Sequence, residues 1–445
     1  MIGPRFTRGF AALAVHNYRL YWTGQIISRV GTWMQQVSLP WLVLALGGSP
    51  IQLGVVAALE FVPSLVLAPF GGVYADRLDK RRAILVTQSL ASVQVVVLFV
   101  LTVTGAITIP IIMVLAFALG LVNAIDMPLR QALAAELVPR NILANAIALN
   151  SMAFNGARVV GPAVAGVTIA VGTSMFGTAT AGVAFNLAIN AISYSAVIVS
   201  LWRMDPNEIR QPIRPEQPQR VLDSLREGVG YAVRTPVVLW SLFLLGVIAT
   251  FGLNFRILLP LFTHDVLQLE ADAYGALYAS MGLGSLAGAL TLAFMSERRA
   301  IVLMVGGGIA FGLFELALSF SRSALLSVPL LIGVGFFSML MINTINATVQ
   351  ANVPDELRGR VMALYVTVFA GSSPIGGIFA GAVAETVDVP FTFLIGAAIS
   401  IVAAFLAWWR FRAARHAGSL GRTRIGVGDR YEERFEERRE PSLSR

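Results

Sequence analysis

Residues 51–82 decide the fold. Ile51-Gln52-Leu53-Gly54-Val55-Val56-Ala57-Ala58-Leu59-Glu60 opens a run that stays mostly apolar as far as Gly71-Gly72-Val73-Tyr74-Ala75. Directly after it comes Asp76-Arg77-Leu78-Asp79-Lys80-Arg81-Arg82. About 20 apolar residues cross a bilayer as a helix, and this run exceeds that length. Lipid offers no partner to an unpaired backbone group, so the run is read as helix. The cationic turn that ends it is the kind of segment retained in the cytoplasm.

The rest of the chain repeats this pattern. Its 445 residues are 56% hydrophobic and only 13% charged, against about 25% charged in an average soluble domain. A water-soluble enzyme is thereby excluded, and a polytopic membrane protein is expected. Cysteine is absent, which removes disulfides, thiolate nucleophiles and Cys-based metal sites. His16, His264 and His416 lie far apart, so no metal centre and no cofactor are expected. Arg5, Arg8 and Arg19 are dispersed through the first residues without the pattern of a cleaved signal. The N-terminus is therefore expected to stay and to start in the cytoplasm.

Apolar stretches predict twelve spans near 20–46, 51–75, 83–104, 110–128, 142–170, 178–201, 237–260, 274–295, 300–320, 324–349, 360–384 and 391–410. The even-numbered connections hold Arg77, Lys80, Arg81 and Arg82; Arg130 and Arg140; Arg203, Arg210, Arg214, Arg220, Arg226 and Arg234; Arg298 and Arg299; Arg358 and Arg360. The odd-numbered loops hold essentially Arg322. This bias places both termini in the cytoplasm. The net charge of +8 then reflects orientation and tail, not a nucleic-acid footprint.

The longest interior break, 203–236, is Pro-rich and continues into a stretch whose Val221, Leu222, Leu225 and Val229 predict an interfacial amphipathic helix. It divides a first bundle (1–202) from a second (237–410), ahead of a charged tail (411–445). The bundles resemble each other. Val138-Pro139 recurs as Val353-Pro354, Ala148-Leu149 as Ala363-Leu364, Phe154 as Phe369, Gly161 as Gly376 and Gly166 as Gly381, always at an offset of 215. The expected fold is an all-α membrane protein of twelve helices in two homologous six-helix bundles, related by an axis along the membrane normal.

Gly71 to Arg82 resembles the signature loop between helices 2 and 3 of the major facilitator superfamily, with Asp79 where that pattern usually has Gly. The resemblance implies that Gly72, Asp76, Arg77, Arg81 and Arg82 form a gate, with Asp76 meeting a cation or a helix N-terminus of the other bundle. A purely topogenic basic loop is the rival reading. Gly156-Ala157-Arg158-Val159-Val160-Gly161-Pro162, with Gly166 beyond, resembles the Gly-Pro motif on helix 5 of superfamily exporters. There Gly156, Gly161, Pro162 and Gly166 would let the bundles approach closely. Gly31-Thr32-Trp33-Met34-Gln35, Leu39-Pro40-Trp41, Asp126-Met127-Pro128-Leu129-Arg130-Gln131 and Ala144-Asn145-Ala146 resemble the branch of enterobactin exporters and macrolide-efflux-type proteins.

Polar residues inside spans mark an aqueous path or each other. Gln25, Ser28, Arg29, Thr32, Gln35 and Gln36 form a stripe on the first span. Together with Asn155, Arg158, Asn254, Arg256, Asn343 and Asn346 they are expected to line a central substrate cavity. Glu60, Asp126 and Glu315 are candidate proton carriers, with Arg29 and Arg158 as candidate alternating partners. Asp126 could instead cap a helix end before Pro128, and Glu315 could be structural. His264 falls in an outer loop with no assigned role.

The expected function is a proton-coupled exporter of a small amphiphilic or anionic compound, such as a drug or siderophore, in the cell inner membrane. Its partners would be that substrate, protons and lipids, and it would act as a monomer without nucleic acid. An uptake carrier, a lysolipid flippase, or a non-transporting scaffold or sensor are the alternatives. No nucleophile–base pair and no phosphate-binding G-x-x-x-x-G-K-[ST] loop appears, so neither an enzyme nor an ATP-driven pump is expected.

Overall fold

A computed structural model describes residues 10–75, 78–209, 221–294 and 300–416. Asp76, Arg77, the loop cations Arg298 and Arg299, the linker stretch 210–220 and the tail from 417 onward lie outside the described residues. The first bundle comprises α1 (His16–Ala45), α2 (Pro50–Ala75), α3 (Lys80–Val103), α4 (Ile109–Glu136), α5 (Leu143–Phe176) and α6 (Ala179–Trp202). A connecting helix α7 (Val221–Arg234) leads to α8 (Pro236–Phe251), α9 (Phe255–Leu261), α10 (Ala271–Phe294), α11 (Ala300–Ser319), α12 (Ala324–Ala351), α13 (Asp355–Thr386) and α14 (Val389–His416).

Among the described residues, eleven helical segments are long and apolar enough to cross a membrane. The twelfth span is α1, whose 30 residues suffice in length but carry the polar stripe. Helices therefore supply all twelve spans. The packing is duplicated. In the first bundle α1 packs on α5 and α6, α2 on α4, and α3 on α4 and α6; in the second, α8 packs on α13 and α14, α10 on α12, and α11 on α12 and α14. The bundles meet along two seams, α2 against α13 and α5 against α10.

Several spans differ from the sequence expectation, α5 among them, which runs on to Phe176. α4 runs on through Pro128 to Glu136, because a membrane helix tolerates proline where neighbours re-satisfy the freed backbone groups. Arg130 is consequently a helix residue and not a loop cation. The seventh span is not continuous: α8 ends at Phe251, the chain is non-helical over 252–254, and α9 passes into a π-helical turn, Phe262–Val266, that contains His264. Finally, α14 extends to His416, beyond the expected limit of the bundle.

The connecting helix is docked on protein as well as amphipathic. Gly228 lies against the Arg360 backbone of α13, Glu227 pairs with Arg360, and Tyr231 donates to the Asn352 carbonyl at 2.7 Å. Val229 and Val233 remain exposed. The membrane face carrying α7 is called the linker face below.

Candidate functional site

Glu60 lies on α2, eleven residues in from the end opposite the linker face, where Gly120 of α4 lets the helices touch: a Cβ on Gly120 would meet the Glu60 carbonyl at 2.4 Å. Its carboxylate forms an ion pair with Arg256 of α9, in the second bundle, and accepts a hydrogen bond from Gln36 Nε2 at 3.0 Å. Glu60 is 6% exposed and Arg256 15%. Arg256 also stacks over Phe61, and its Nε and Nη1 have no hydrogen-bond partner. Glu60 thus pairs with Arg256 in this structure, and with neither Arg29 nor Arg158. The seventh span breaks just before Arg256, and this presents the guanidinium to the other bundle.

Glu60 and Arg256 line a small central cavity with Thr32, Gln36, Arg130 and Tyr194. The cavity holds space for little more than a water molecule. Of the residues expected to line a substrate cavity, Thr32, Gln35, Gln36 and Arg256 border it. Gln25 accepts from Arg130 at 3.2 Å. Gln35 is tied inside the bundle to Gln94 at 3.2 Å and Asn190 at 2.8 Å. Asn254 donates to the Thr250 carbonyl at the helix break. On α12, Asn346 accepts from Gln350 at 2.6 Å, and Asn343 is half-buried on the same helix.

Asp126 is fully buried and does not cap a helix end. It pairs with Arg130, one turn along the continuous α4, and accepts from Thr87 at 2.6 Å and Gln88 at 3.0 Å. These are the partners that a sequence reading with α4 ending at Pro128 misses. Arg130, expected as a loop cation, is instead the charged partner of Asp126 within α4.

Arg29 and Arg158 mark a different surface, where α1 meets α5. Arg29 donates to the Asn150 carbonyl at 3.1 Å and lies over Phe154. Phe154 meets Trp33 edge-on at 5.8 Å, and Trp33 in turn lies under Arg158. Nε of Arg158 and Oδ1 of neighbouring Asn155 are buried without partners, while Asn155 Nδ2 bonds its own helix. Phe154 is 45% exposed, and Ile147 and Met152, further toward the linker face, are exposed as well. Two guanidinium groups therefore sit on this wall without a carboxylate partner among the described residues.

The glycine motif of α5 divides its tasks. Gly166 crosses to the second bundle, where a Cβ would meet Gly275 Cα at 2.9 Å, and the Pro162 carbonyl faces Gly275 as well. Gly161 instead packs within its own bundle, against Trp33 and the Val30 carbonyl, and a Cβ on Gly156 would meet nothing within 4 Å. The expected interface role of Gly156 and Gly161 is corrected accordingly. Among the described residues of the basic loop the contacts are with the first bundle: Asp79 caps α3 through the Arg82 amide, Arg81 donates to the Leu201 and Trp202 carbonyls that end α6, and Lys80 is buried against Glu136 at 2.6 Å. Gly72 is part of α2.

The bundles close at the end remote from the linker face. Trp41 stacks on Tyr274 at 5.7 Å with His264 at its edge, and Gly54 abuts the Gly377 carbonyl. Glu385 of α13 accepts from Ser49 Oγ at 2.8 Å and from the Ile51 amide at 2.9 Å, at the start of α2. A carboxylate there meets the positive end of a helix dipole. Glu315, fully buried on α11, lies away from the central cavity.

A profile of the transmembrane secretion effector family matches residues 7–434. The chain is 26% identical over 383 residues to the staphyloferrin A transporter of Staphylococcus aureus, covering 85% of this chain and 92% of that one. It is 28% identical over 369 residues to the multidrug efflux pump Tap of Mycolicibacterium fortuitum, covering 80% and 87%. It is 25% identical over 369 residues to the enterobactin exporter EntS of Shigella boydii, covering 82% and 84%. In fold it is similar to a bacterial homologue of the lysosomal transporter Spinster, crystallised inward-facing and occupied, at a TM-score of 0.69 and 12% identity, covering 91% and 97%.

Proposed function

Because the chain belongs to the transmembrane secretion effector family of the major facilitator superfamily, and is a multi-pass membrane transporter, we propose that it is a secondary active exporter. It takes a small amphiphilic or anionic compound from the linker face and releases it at the opposite face in exchange for protons. The linker face is cytoplasmic, both termini lie there, and the protein works as a monomer in the inner membrane. Lipid covers exposed apolar side chains such as Val93, Val302 and Val402.

The observation that carries this reading is the Glu60–Arg256 pair, which links the bundles beside the central cavity. A buried ion pair is stable only while both members are charged, and removing one charge strands the other. Protonating Glu60 therefore weakens the link at the centre of the protein. A compound that donates an O–H or N–H to Glu60, with its anionic group on Arg29 or Arg158, binds the charged carboxylate more tightly than the protonated acid, which is the weaker acceptor. Proton and compound then exclude each other, which is the condition for exchange. The siderophore and drug relatives support this substrate class.

One feature favours a second reading. Nε and Nη1 of Arg256 are buried and unpartnered, so an anion could compete with Glu60 for that guanidinium. Anion and proton would then bind together, and the carrier would move both in one direction, as an uptake carrier does. Accumulation of enterobactin, staphyloferrin A and ethidium in expressing cells, with and without a protonophore, tests the reading. Export lowers accumulation of at least one compound, and the protonophore abolishes the difference. Raised accumulation assigns uptake, and no change across the panel contradicts transport of this class.

A further inference from the structure

Arg29 and Arg158 are the two ends of a short ladder between α1 and α5. The Arg29 guanidinium lies 5.9 Å from the centre of the Phe154 ring, and Phe154 meets Trp33 at 5.8 Å. Trp33 in turn lies 5.9 Å from the Arg158 guanidinium. Each cation is within the range at which a ring face attracts it. The order along the wall is cation, ring, ring, cation. On α5, Arg29 bonds the carbonyl of Asn150, about two turns before Arg158. The helical rise, and the lean of helical side chains toward the start of their helix, put the two guanidinium groups on the order of 10 Å apart.

Neither cation has a carboxylate partner among the described residues. Nε of Arg158 and Oδ1 of Asn155 are buried and unpartnered. The copied helix α13 keeps the ring, as Phe369, but has Ser373 in place of the cation. The fold can therefore be built without an arginine at this position. Water could hydrate either charge, but it does not explain why both are held against rings instead of reaching outward. Phe154 and, two turns nearer the linker face, Ile147 share one side of α5 and are exposed, so the wall is open there. We propose that this wall holds one compound by both ends: a flat aromatic body over Phe154, with a separate anionic group on each of Arg29 and Arg158.

The spacing selects the class. A single anionic group cannot touch both cations at this separation, and it leaves one of them uncompensated beside apolar rings. Two anionic groups on a flexible chain would lose rotational freedom on binding. A rigid aromatic spacer loses less and adds contact with the exposed ring. Gln36, which donates to Glu60, follows Trp33 by one turn on α1, so the ladder ends beside the carboxylate assigned to the proton. This inference rests on the export reading and narrows its substrate from a compound with one anionic group to a compound with two.

The test is calorimetric titration of the purified full chain, in a non-ionic detergent, with three acids. They are biphenyl with a carboxylate at each far end, biphenyl with one such carboxylate, and the flexible chain diacid sebacate. The biphenyl diacid is expected to bind about tenfold more tightly than the monoacid, because it gains a second charge-assisted contact. It should also bind more tightly than sebacate, and Phe154→Leu should narrow that difference. Arg29→Gln and Arg158→Gln should each bring the diacid down to the affinity of the monoacid. The monoacid should stay within about twofold in either variant, because it can use the remaining arginine. Equal binding of diacid and monoacid overturns the proposal, as does a loss in the arginine variants that is the same for both. Sebacate binding as tightly as the biphenyl diacid overturns the aromatic body, and no binding of any acid overturns the whole. If an arginine variant does not fold, the three acids on the wild type decide. Equal binding of the two biphenyl acids leaves the export reading, which needs one anionic group, in place. Failure of export with the preference intact leaves the two-ended site standing.

Discussion

Helices α5 and α13 are the same helix twice, and they part company over charge. Gly161 of α5 packs on α1, and its counterpart Gly376 packs on the end of α8, against the Thr250 carbonyl. Gly166 crosses to α10 at Gly275, and its counterpart Gly381 crosses to α2 at Pro50. The contacts that need close backbone approach have been kept in both copies. At the same offset, however, Arg158 of α5 corresponds to Ser373 in α13, and Asn155 to Ala370. Duplication explains the architecture. Arg29 and Arg158, the cations proposed to hold a substrate's anionic group, both belong to the first copy.

The largest expected effect breaks the link between the copies. Glu60→Ala strands Arg256 and should cost roughly 3–5 kcal/mol of stability, read as a lowered unfolding midpoint. Adding Arg256→Leu should restore much of that loss, whereas a second loss of similar size would show that the two residues act separately.

The next effect tests the duplicated glycines. Gly166→Val and Gly381→Val each overpack a seam, and each should cost about 1–3 kcal/mol. Both should raise labelling of a cysteine placed at Leu39, a clean assay because the chain has no cysteine of its own. Gly156→Val, in open space, should leave stability and labelling near wild type. If the first two differ strongly from each other, the equivalence of the seams fails.

Smaller still is the effect of making the copies alike. Arg158→Ser gives α5 the residue that α13 already has, and should weaken binding of an anionic compound about tenfold while the unfolding midpoint holds. Unchanged affinity would remove Arg158 from the site. Smallest is Glu385→Gln, which keeps the shape but loses the charge that caps α2. It should raise outside labelling of the Leu39→Cys reporter a few-fold, with no shift in substrate affinity.

The architecture was legible in sequence because hydropathy, positive-inside loops and a constant offset each record a constraint on the whole chain. Individual spans were less so. Pro128 suggested an end to α4, but neighbouring helices carry that helix on to Glu136, and with it Arg130 becomes the partner of Asp126. The stripe on α1 correctly marked a helix unlike the others, yet a stripe does not say who faces it. Gln35 turned out to serve Gln94 and Asn190 inside the bundle, while Gln36, one residue on, reaches Glu60. Glu60 itself was visible as a mid-membrane charge. Its partner was not, because Arg256 lies 196 residues away and no local spacing connects them. The short non-helical stretch around Gly252 that positions Arg256 could have been suspected only from Gly252 and Asn254 sitting within one apolar run.

In the proposed exchange, Glu60 makes proton and substrate exclude each other. It is tested most directly in proteoliposomes loaded with a pH-sensitive dye, by adding a transported compound to one side and following protons. Protons are expected to move opposite to the compound in the wild type. In Glu60→Gln the compound should still equilibrate down its own gradient, without proton movement. Protons moving with the compound, or an exchange that persists in Glu60→Gln, would contradict it.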